Sequence, residues 1–161
     1  MNSNFSAALG LLLALMSPAV GQGTASPGTQ PFLPDEFVAK DGIATIPAPL
    51  TSQPGDPAAG EKVVIDRRLG NCLSCHEIST LGCQQFHGEI GPPLVGAGAR
   101  WDPAMLRMIV VNPKKVFGPE TVMPAFFRID GLNRVRPEFA GKPILTAQQV
   151  EDVVAYLATL K

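Results

Sequence analysis

The chain has 161 residues and a formal net charge of −1. This length fits one small domain once a leader is removed, and the near-neutral charge gives no support for binding to nucleic acid. Residues 7–16 are almost entirely apolar and small residues follow at 19–21, a pattern typical of a signal peptide cleaved after Gly21. The apolar run is too short to span a bilayer. We therefore expect residues 1–21 to be an export signal, with an uncleaved N-terminal helix as the alternative, and we expect no membrane anchor.

Residues 22–56 are rich in proline, glycine, serine and threonine. They show little amphipathic periodicity, which predicts an extended arm rather than a packed unit. Short apolar groups at residues 32–33, 37–38 and 43–46 interrupt this composition. The arm is therefore either a disordered leader or a segment that docks on a partner protein.

Helix signals mark the remaining residues, 57–161, as the folded domain. The first predicted helix has Asp56 as N-cap, runs over residues 58–69 and ends at a glycine. The second is predicted over residues 102–112, where a following proline stops it. The third begins with a capping box at Thr146 and continues with valines and leucine at helical spacing. No stretch alternates as a strand would, so an all-α domain is predicted.

Cysteines and a histidine between the first two helices carry the chemistry. Cys72 and Cys75 are separated by two residues and His76 follows directly. In this pattern the thiols add to the two vinyl groups of a porphyrin, and the histidine becomes the proximal iron ligand. The sequence therefore predicts one covalently bound haem c, with iron held by His76.

A second iron ligand is expected from the other side of the haem. Met123 is the best candidate, because it precedes Pro124 in a loop between predicted helices. Met105 and Met108 fall on the second helix, where a methionine usually fills the core. His87 is the other possibility, because a second histidine is also a common axial ligand.

A third cysteine, Cys83, opens a rival interpretation. Cys72, Cys75, Cys83 and His87 together have spacing that a structural zinc site tolerates. Zinc explains neither the export signal nor the methionine loop, so the haem interpretation is favoured. If the haem takes the first two thiols, Cys83 is a free thiol, a small buried hydrophobe or half of a disulfide to a partner.

The order of helix, haem motif, helix, methionine loop and terminal helix resembles that of class I cytochromes c. The Gly-Pro-Pro-Leu sequence at residues 91–94 resembles an element of that family whose proline carbonyl accepts a hydrogen bond from the proximal imidazole. The resemblance implies that Pro92 orients His76 in this way. It also implies that His87 lies on the proximal side, away from the sixth position, as a surface or loop residue.

A narrower resemblance is to the SoxX subunits of SoxAX cytochromes. The motifs that carry it are residues 70–76, 88–94, 121–126, 141–146 and 150–157. It implies a class I cytochrome c fold with an extended Pro/Gly-rich N-terminal arm, a periplasmic location and a heterodimer with a SoxA-like cytochrome. Such complexes act as L-cysteine S-thiosulfotransferases, joining thiosulfate oxidatively to a cysteine of the SoxYZ carrier and passing electrons to a soluble cytochrome acceptor.

Electron counting limits what this chain contributes to such a reaction. Forming one S–S bond releases two electrons, whereas a single haem stores one. No catalytic residue is evident in the sequence, so the isolated chain is expected to transfer electrons only. The alternative function is that of a stand-alone periplasmic monohaem carrier.

Overall fold

The computed structural model describes residues 38–40 and 42–161. The predicted signal peptide and the apolar groups at residues 32–33 and 37 lie outside the described residues. The helices and strands are β1 (Val38–Lys40), β2 (Ile43–Thr45), α1 (Pro57–Ile65), α2 (Ala97–Arg100), α3 (Pro103–Val111), α4 (Lys114–Phe117) and α5 (Ala147–Thr159). Within the described part of the chain, no helix has the length and apolar character needed to cross a membrane.

The core is built where α5 crosses α1 and α3. Gly60 lets α1 and α5 approach, because a side chain there would collide with the Asp152 carbonyl and would lie 2.9 Å from the Cβ of Tyr156. The predicted capping box is present, since Gln149 N–H donates to Thr146 Oγ1 at 3.2 Å and the Thr146 N–H donates back to Gln149 Oε1 at 2.9 Å. Apolar side chains of α5 then fill the space between the helices, and Val150 is completely buried.

The first helix is shorter than predicted. It starts at Pro57 behind the Asp56 cap, as expected, but ends at Ile65 instead of continuing to residue 69. The cause is Asp66, whose carboxylate accepts a hydrogen bond from the Arg68 N–H at 2.7 Å and so turns the chain out of the helix. The chain thus leaves α1 several residues before the haem motif.

Two short strands contradict the expectation that no strand would form. β1 and β2 pair antiparallel, with Val38 opposite Thr45 and Lys40 opposite Ile43. Each strand has only three residues, too few for alternation to be distinguished from a loop. The rest of the described chain is helix, turn and loop, so the domain remains essentially all-α.

The end of the predicted arm packs on the chain's own helices. Arg107 forms a buried ion pair with Glu151, at 2.7 Å from Nε to Oε1, and donates to the Ile46 carbonyl at 2.7 Å. Glu151 also accepts the Leu50 N–H at 2.9 Å. Ile46 itself is 2% exposed. Thr45 and Ile46 are therefore buried in this domain, and the apolar group at 43–46 is not a free docking segment.

Candidate haem site

One tight turn brings the predicted haem-binding residues together. Residues Cys72–Ser74 form a 3₁₀ turn, and the N–H groups of Cys75 and His76 both donate to the Cys72 carbonyl, at 3.1 and 2.9 Å. Asn71 enters this turn with a φ of 47°, a left-handed conformation that asparagine adopts more readily than most residues. The turn presents both thiols and the imidazole from a single local structure.

The imidazole of His76 is held by the carbonyl of Pro92. The distance from Nδ1 to the carbonyl oxygen is 2.6 Å. A carbonyl can only accept, so Nδ1 must carry the proton, and the lone pair of the ring is then on Nε2. The hydrogen bond that the Gly-Pro-Pro-Leu resemblance implied is present, and it leaves Nε2 as the nitrogen that can bind iron.

Backbone hydrogen bonds join the histidine turn to residues 88–94. Gly88 N–H donates to the Leu73 carbonyl and Gly91 N–H donates to the Cys75 carbonyl, both at 2.7 Å. Gly91 has no room for a side chain, because an added Cβ would lie 2.6 Å from Nδ1 of His76 and closer still to the ring carbon between the nitrogens. The imidazole therefore rests against bare backbone and has little freedom to turn.

The thiols of this turn are unpaired in the structure. Burial raises the pKa of Cys72 to about 12, outweighing a backbone hydrogen bond that acts in the opposite direction. The Cys72 thiol is therefore uncharged at neutral pH. Cys72 is partly buried against the core, a position compatible with a thioether bond to haem.

Three methionines lie in two different environments, the helix core and a loop, as the sequence predicted. Met108 is completely buried and Met105 is 7% exposed, both on α3. Met123 lies instead in the loop after α4, where it is partly buried and packs against the edge of the core. Among these three, only Met123 combines a loop position with a partly accessible thioether.

Lys114 is a residue that the sequence did not single out. Its ammonium donates to the carbonyl of Met123 at 2.6 Å and also to the carbonyl of Thr121. These contacts join the first residue of α4 to the middle of the methionine loop. A lysine before a loop has no periodic or motif signal, so only the fold reveals this contact.

The zinc interpretation fails on geometry. No group of three or more His, Cys, Asp or Glu side chains that could hold a metal ion occurs among the described residues. Cys83 is exposed, so it is not the buried hydrophobe that was one of its predicted fates. His87 is partly buried and its Nδ1 accepts the Ile78 N–H at 3.2 Å.

That contact also bears on His87 as an iron ligand. An acceptor Nδ1 carries a lone pair, so in the neutral ring the proton is on Nε2. Nε2 is buried without a hydrogen-bond partner among the described residues. His87 would have to give up its bond to Ile78 before Nε2 could offer a lone pair to iron, which disfavours it as the second ligand.

The residues present fit a covalently bound haem. Two thiols and an imidazole lie on one turn, the imidazole has its tautomer fixed by Pro92, and Gly91 leaves the ring unobstructed. A thioether is available in a separate loop at Met123. Thiol, imidazole and thioether are the side chains that haem c proteins use.

Comparison with known proteins agrees with this chemistry. The family model for cytochrome c matches residues 57–161. The chain belongs to the cytochrome c family. Its cofactor is therefore a covalently attached haem c, and the predicted class I cytochrome c fold is confirmed.

A solved structure supports the narrower resemblance. The chain is similar to a chain in the crystal structure of SoxXA from P. pantotrophus, with 46% sequence identity and a TM-score of 0.71. The similarity covers 82% of this chain and 99% of that chain. No curated protein sequence matches the chain. The resemblance to SoxX that the sequence motifs indicated is thus confirmed at the level of fold and sequence.

Proposed function

We propose that this cytochrome c is the electron-transfer subunit of a SoxAX-type L-cysteine S-thiosulfotransferase. The observation that carries the electron-transfer role is the fixed proximal histidine, whose Nδ1 lies 2.6 Å from the Pro92 carbonyl. A fixed proximal ligand lowers the rearrangement that accompanies gain or loss of an electron, and a sixth ligand from Met123 would leave no open position for chemistry at the iron. The similarity to SoxXA supports the narrower assignment.

Each site residue has one role in this proposal. Cys72 and Cys75 bind the haem through thioether bonds, and His76 supplies the proximal nitrogen. Met123 supplies the sixth ligand, and its thioether stabilises the reduced state and so raises the reduction potential. When bound, the haem provides reversible one-electron chemistry, while the protein provides ligands, orientation and exclusion of water.

The proposed overall reaction requires partner proteins. A carrier thiol and thiosulfate join as R–SH + S₂O₃²⁻ → R–S–S–SO₃⁻ + H⁺ + 2e⁻, forming one S–S bond. With haem held by Cys72, Cys75, His76 and Met123, the chain would relay these electrons one at a time to a soluble cytochrome. A SoxA-like subunit carries the bond-forming site, and the cysteine belongs to a SoxYZ-type carrier. Residues 1–21 act as the export signal, residues 22–56 as an N-terminal arm whose end packs on the domain, and the complex works in the periplasm.

A reconstitution experiment tests the proposal. The oxidised holoprotein is mixed with thiosulfate, first alone and then with a SoxA-like subunit and a carrier protein that has one reactive cysteine. We expect haem reduction only in the complete mixture. Mass spectrometry should show the carrier heavier by one thiosulfate, and a carrier with that cysteine changed to serine is the matched control.

Two results would contradict the proposal. If the isolated chain conjugated thiosulfate to the carrier, the bond-forming site would lie on this chain and not on the partner. If the holoprotein neither bound the SoxA-like subunit nor was reduced in its presence, while still exchanging electrons with other cytochromes, it would be a stand-alone monohaem carrier.

A further inference from the structure

The methionine loop, residues 118–125, is anchored by backbone hydrogen bonds mainly at its ends. At its far end, Phe126 N–H donates to the Val110 carbonyl at 3.2 Å and Phe127 N–H donates to the Val111 carbonyl at 3.3 Å. Its near end is α4, which follows α3 directly. Between these ends, the loop has a backbone hydrogen bond from the Thr121 N–H to the Gly118 carbonyl, at 3.3 Å. Besides the packing of Met123 itself against the core, a side chain rather than the backbone holds the part of the loop that carries Met123.

Lys114 is that side chain. It is partly buried at the start of α4, and its ammonium donates to the carbonyls of Thr121 and Met123. Hydrogen bonds from a charged donor are about twice as strong as neutral ones. Two such bonds, one of them to the proposed ligand residue itself, close the loop across its middle.

The charge of Lys114 is not used elsewhere in the described structure. Arg107–Glu151, Arg128–Asp130 and Arg136–Glu138 are ion pairs among the described residues, and Lys114 takes part in none of these. The hydrogen-bond partners of the Lys114 ammonium are therefore neutral backbone carbonyls, which leave its positive charge in place. A positive charge fixed next to the sixth ligand opposes the additional positive charge of oxidised iron.

We propose that Lys114 is a positioning residue that keeps the Met123 loop closed over the haem and favours the reduced state. This inference rests on the proposed role of Met123 as iron ligand. Lys114 acts on the iron through the loop and through its charge, and it does not coordinate the metal. Both effects are measurable without any assay of thiosulfate chemistry.

Imidazole binding to the oxidised holoprotein measures closure of the loop. Added imidazole replaces the thioether only while the loop is open, so its apparent affinity rises with the open fraction. In Lys114→Met, which keeps the length of the side chain but loses donor and charge, we expect imidazole to bind at least about tenfold more tightly. We also expect a lower reduction potential and a weaker sulfur-to-iron band in the near infrared.

Three further variants make the test specific. Lys115→Met removes the same charge from an exposed position on the same helix, and it should change imidazole affinity by less than about twofold. Lys114→Arg keeps a charged donor and should restore most of the closure. Met123→Ala defines the fully open limit. Covalent haem content and the Soret band report folding of every variant, and Lys114→Gln replaces Lys114→Met if the latter fails to assemble.

The outcomes separate this inference from the proposed function. If Met123→Ala altered the near-infrared band but Lys114→Met matched Lys115→Met in imidazole affinity and potential, the role of Lys114 would be refuted and the ligand assignment would stand. If Met123→Ala left the band and the imidazole affinity unchanged, the ligand assignment would be wrong and the role of Lys114 would fall with it.

Discussion

The proximal and distal sides of the haem site are held by different kinds of contact. On the proximal side, backbone bonds of 2.7 Å from Gly88 and Gly91 tie the histidine turn to the next segment, and the Pro92 carbonyl fixes the imidazole. On the distal side, the loop that carries Met123 is held in its middle by one lysine side chain. Ordering a lysine side chain costs up to about 2 kcal/mol of conformational entropy, which opposes the distal contact.

Because of this difference, we expect substitutions near the two ligands to affect different properties of the haem site. The proximal histidine is fixed by main-chain geometry that few substitutions can alter without disturbing the fold. The loop of the distal methionine is held by the Lys114 side chain, which a substitution can remove without altering the main chain. We therefore expect changes on the proximal side to affect whether haem is held at all, and changes on the distal side to affect its spectrum and potential.

The largest effect is expected at the attachment cysteines. The double variant Cys72→Ala/Cys75→Ala should lose all covalent haem, because no thiol remains in the turn to form a thioether. Each single variant should keep one bond. Extraction into acidified organic solvent, followed by haem staining of a denaturing gel, measures this directly.

Cys83→Ala is the matched control for attachment. It removes an exposed thiol near the same turn and should leave haem content unchanged. Haem that stayed with the double variant in acidified solvent would show that attachment occurs elsewhere. Zinc in the wild-type protein, without haem, would contradict the cytochrome assignment as a whole.

A smaller but substantial effect is expected at Gly91. In Gly91→Ala the new methyl group would lie 2.6 Å from Nδ1 of His76, so the imidazole or the segment after it must move. Overpacking of this kind typically costs about 1–3 kcal/mol. We expect a lower yield of holoprotein and a lower midpoint of unfolding in denaturant.

Gly82→Ala provides the comparison for Gly91. It lies in the same region with a φ of −58°, and an added Cβ would meet only the Ser79 carbonyl oxygen, at an ordinary 3.5 Å. The free energy of unfolding should therefore change little there. Equal effects of the two substitutions would mean that the close approach at Gly91 does not constrain the histidine.

The residues that sequence could predict are those with short-range signals. The thiols and imidazole lie within one turn, so their spacing alone indicates their chemistry. The boundaries of α3 and α5 were also predictable, because capping by Asp102 and Thr146 is encoded next to the helix it starts. The residues of the proximal side can therefore be predicted largely from the sequence.

The contacts that sequence could not predict join distant residues. Arg107 and Glu151 are 44 positions apart, and charged residues are usually exposed, so nothing marks them as a buried pair that holds Ile46. The contacts of Lys114 with the methionine loop likewise depend on how the loop folds back on α4. A methionine in a loop is recognisable, but its support is a tertiary property.

The smallest structural change, and the clearest test of the distal side, is expected from Met123→Ala. Covalent haem should be retained in full, because the thioether bonds and His76 are untouched. The near-infrared sulfur-to-iron band of the oxidised protein should disappear. The reduction potential should fall by on the order of 0.1 V, within the span of about 0.8 V that axial ligands control.

Met105→Leu is the control for Met123. It removes a thioether from a buried position on α3 while keeping a similar volume, so the band and the potential should both persist. Spectroelectrochemistry of the two variants beside the wild type measures both quantities on the same samples. A band that survived in Met123→Ala and vanished in Met105→Leu would place the sixth ligand on α3. The distal side would then be as firmly built as the proximal one, because its ligand would come from a helix in the core.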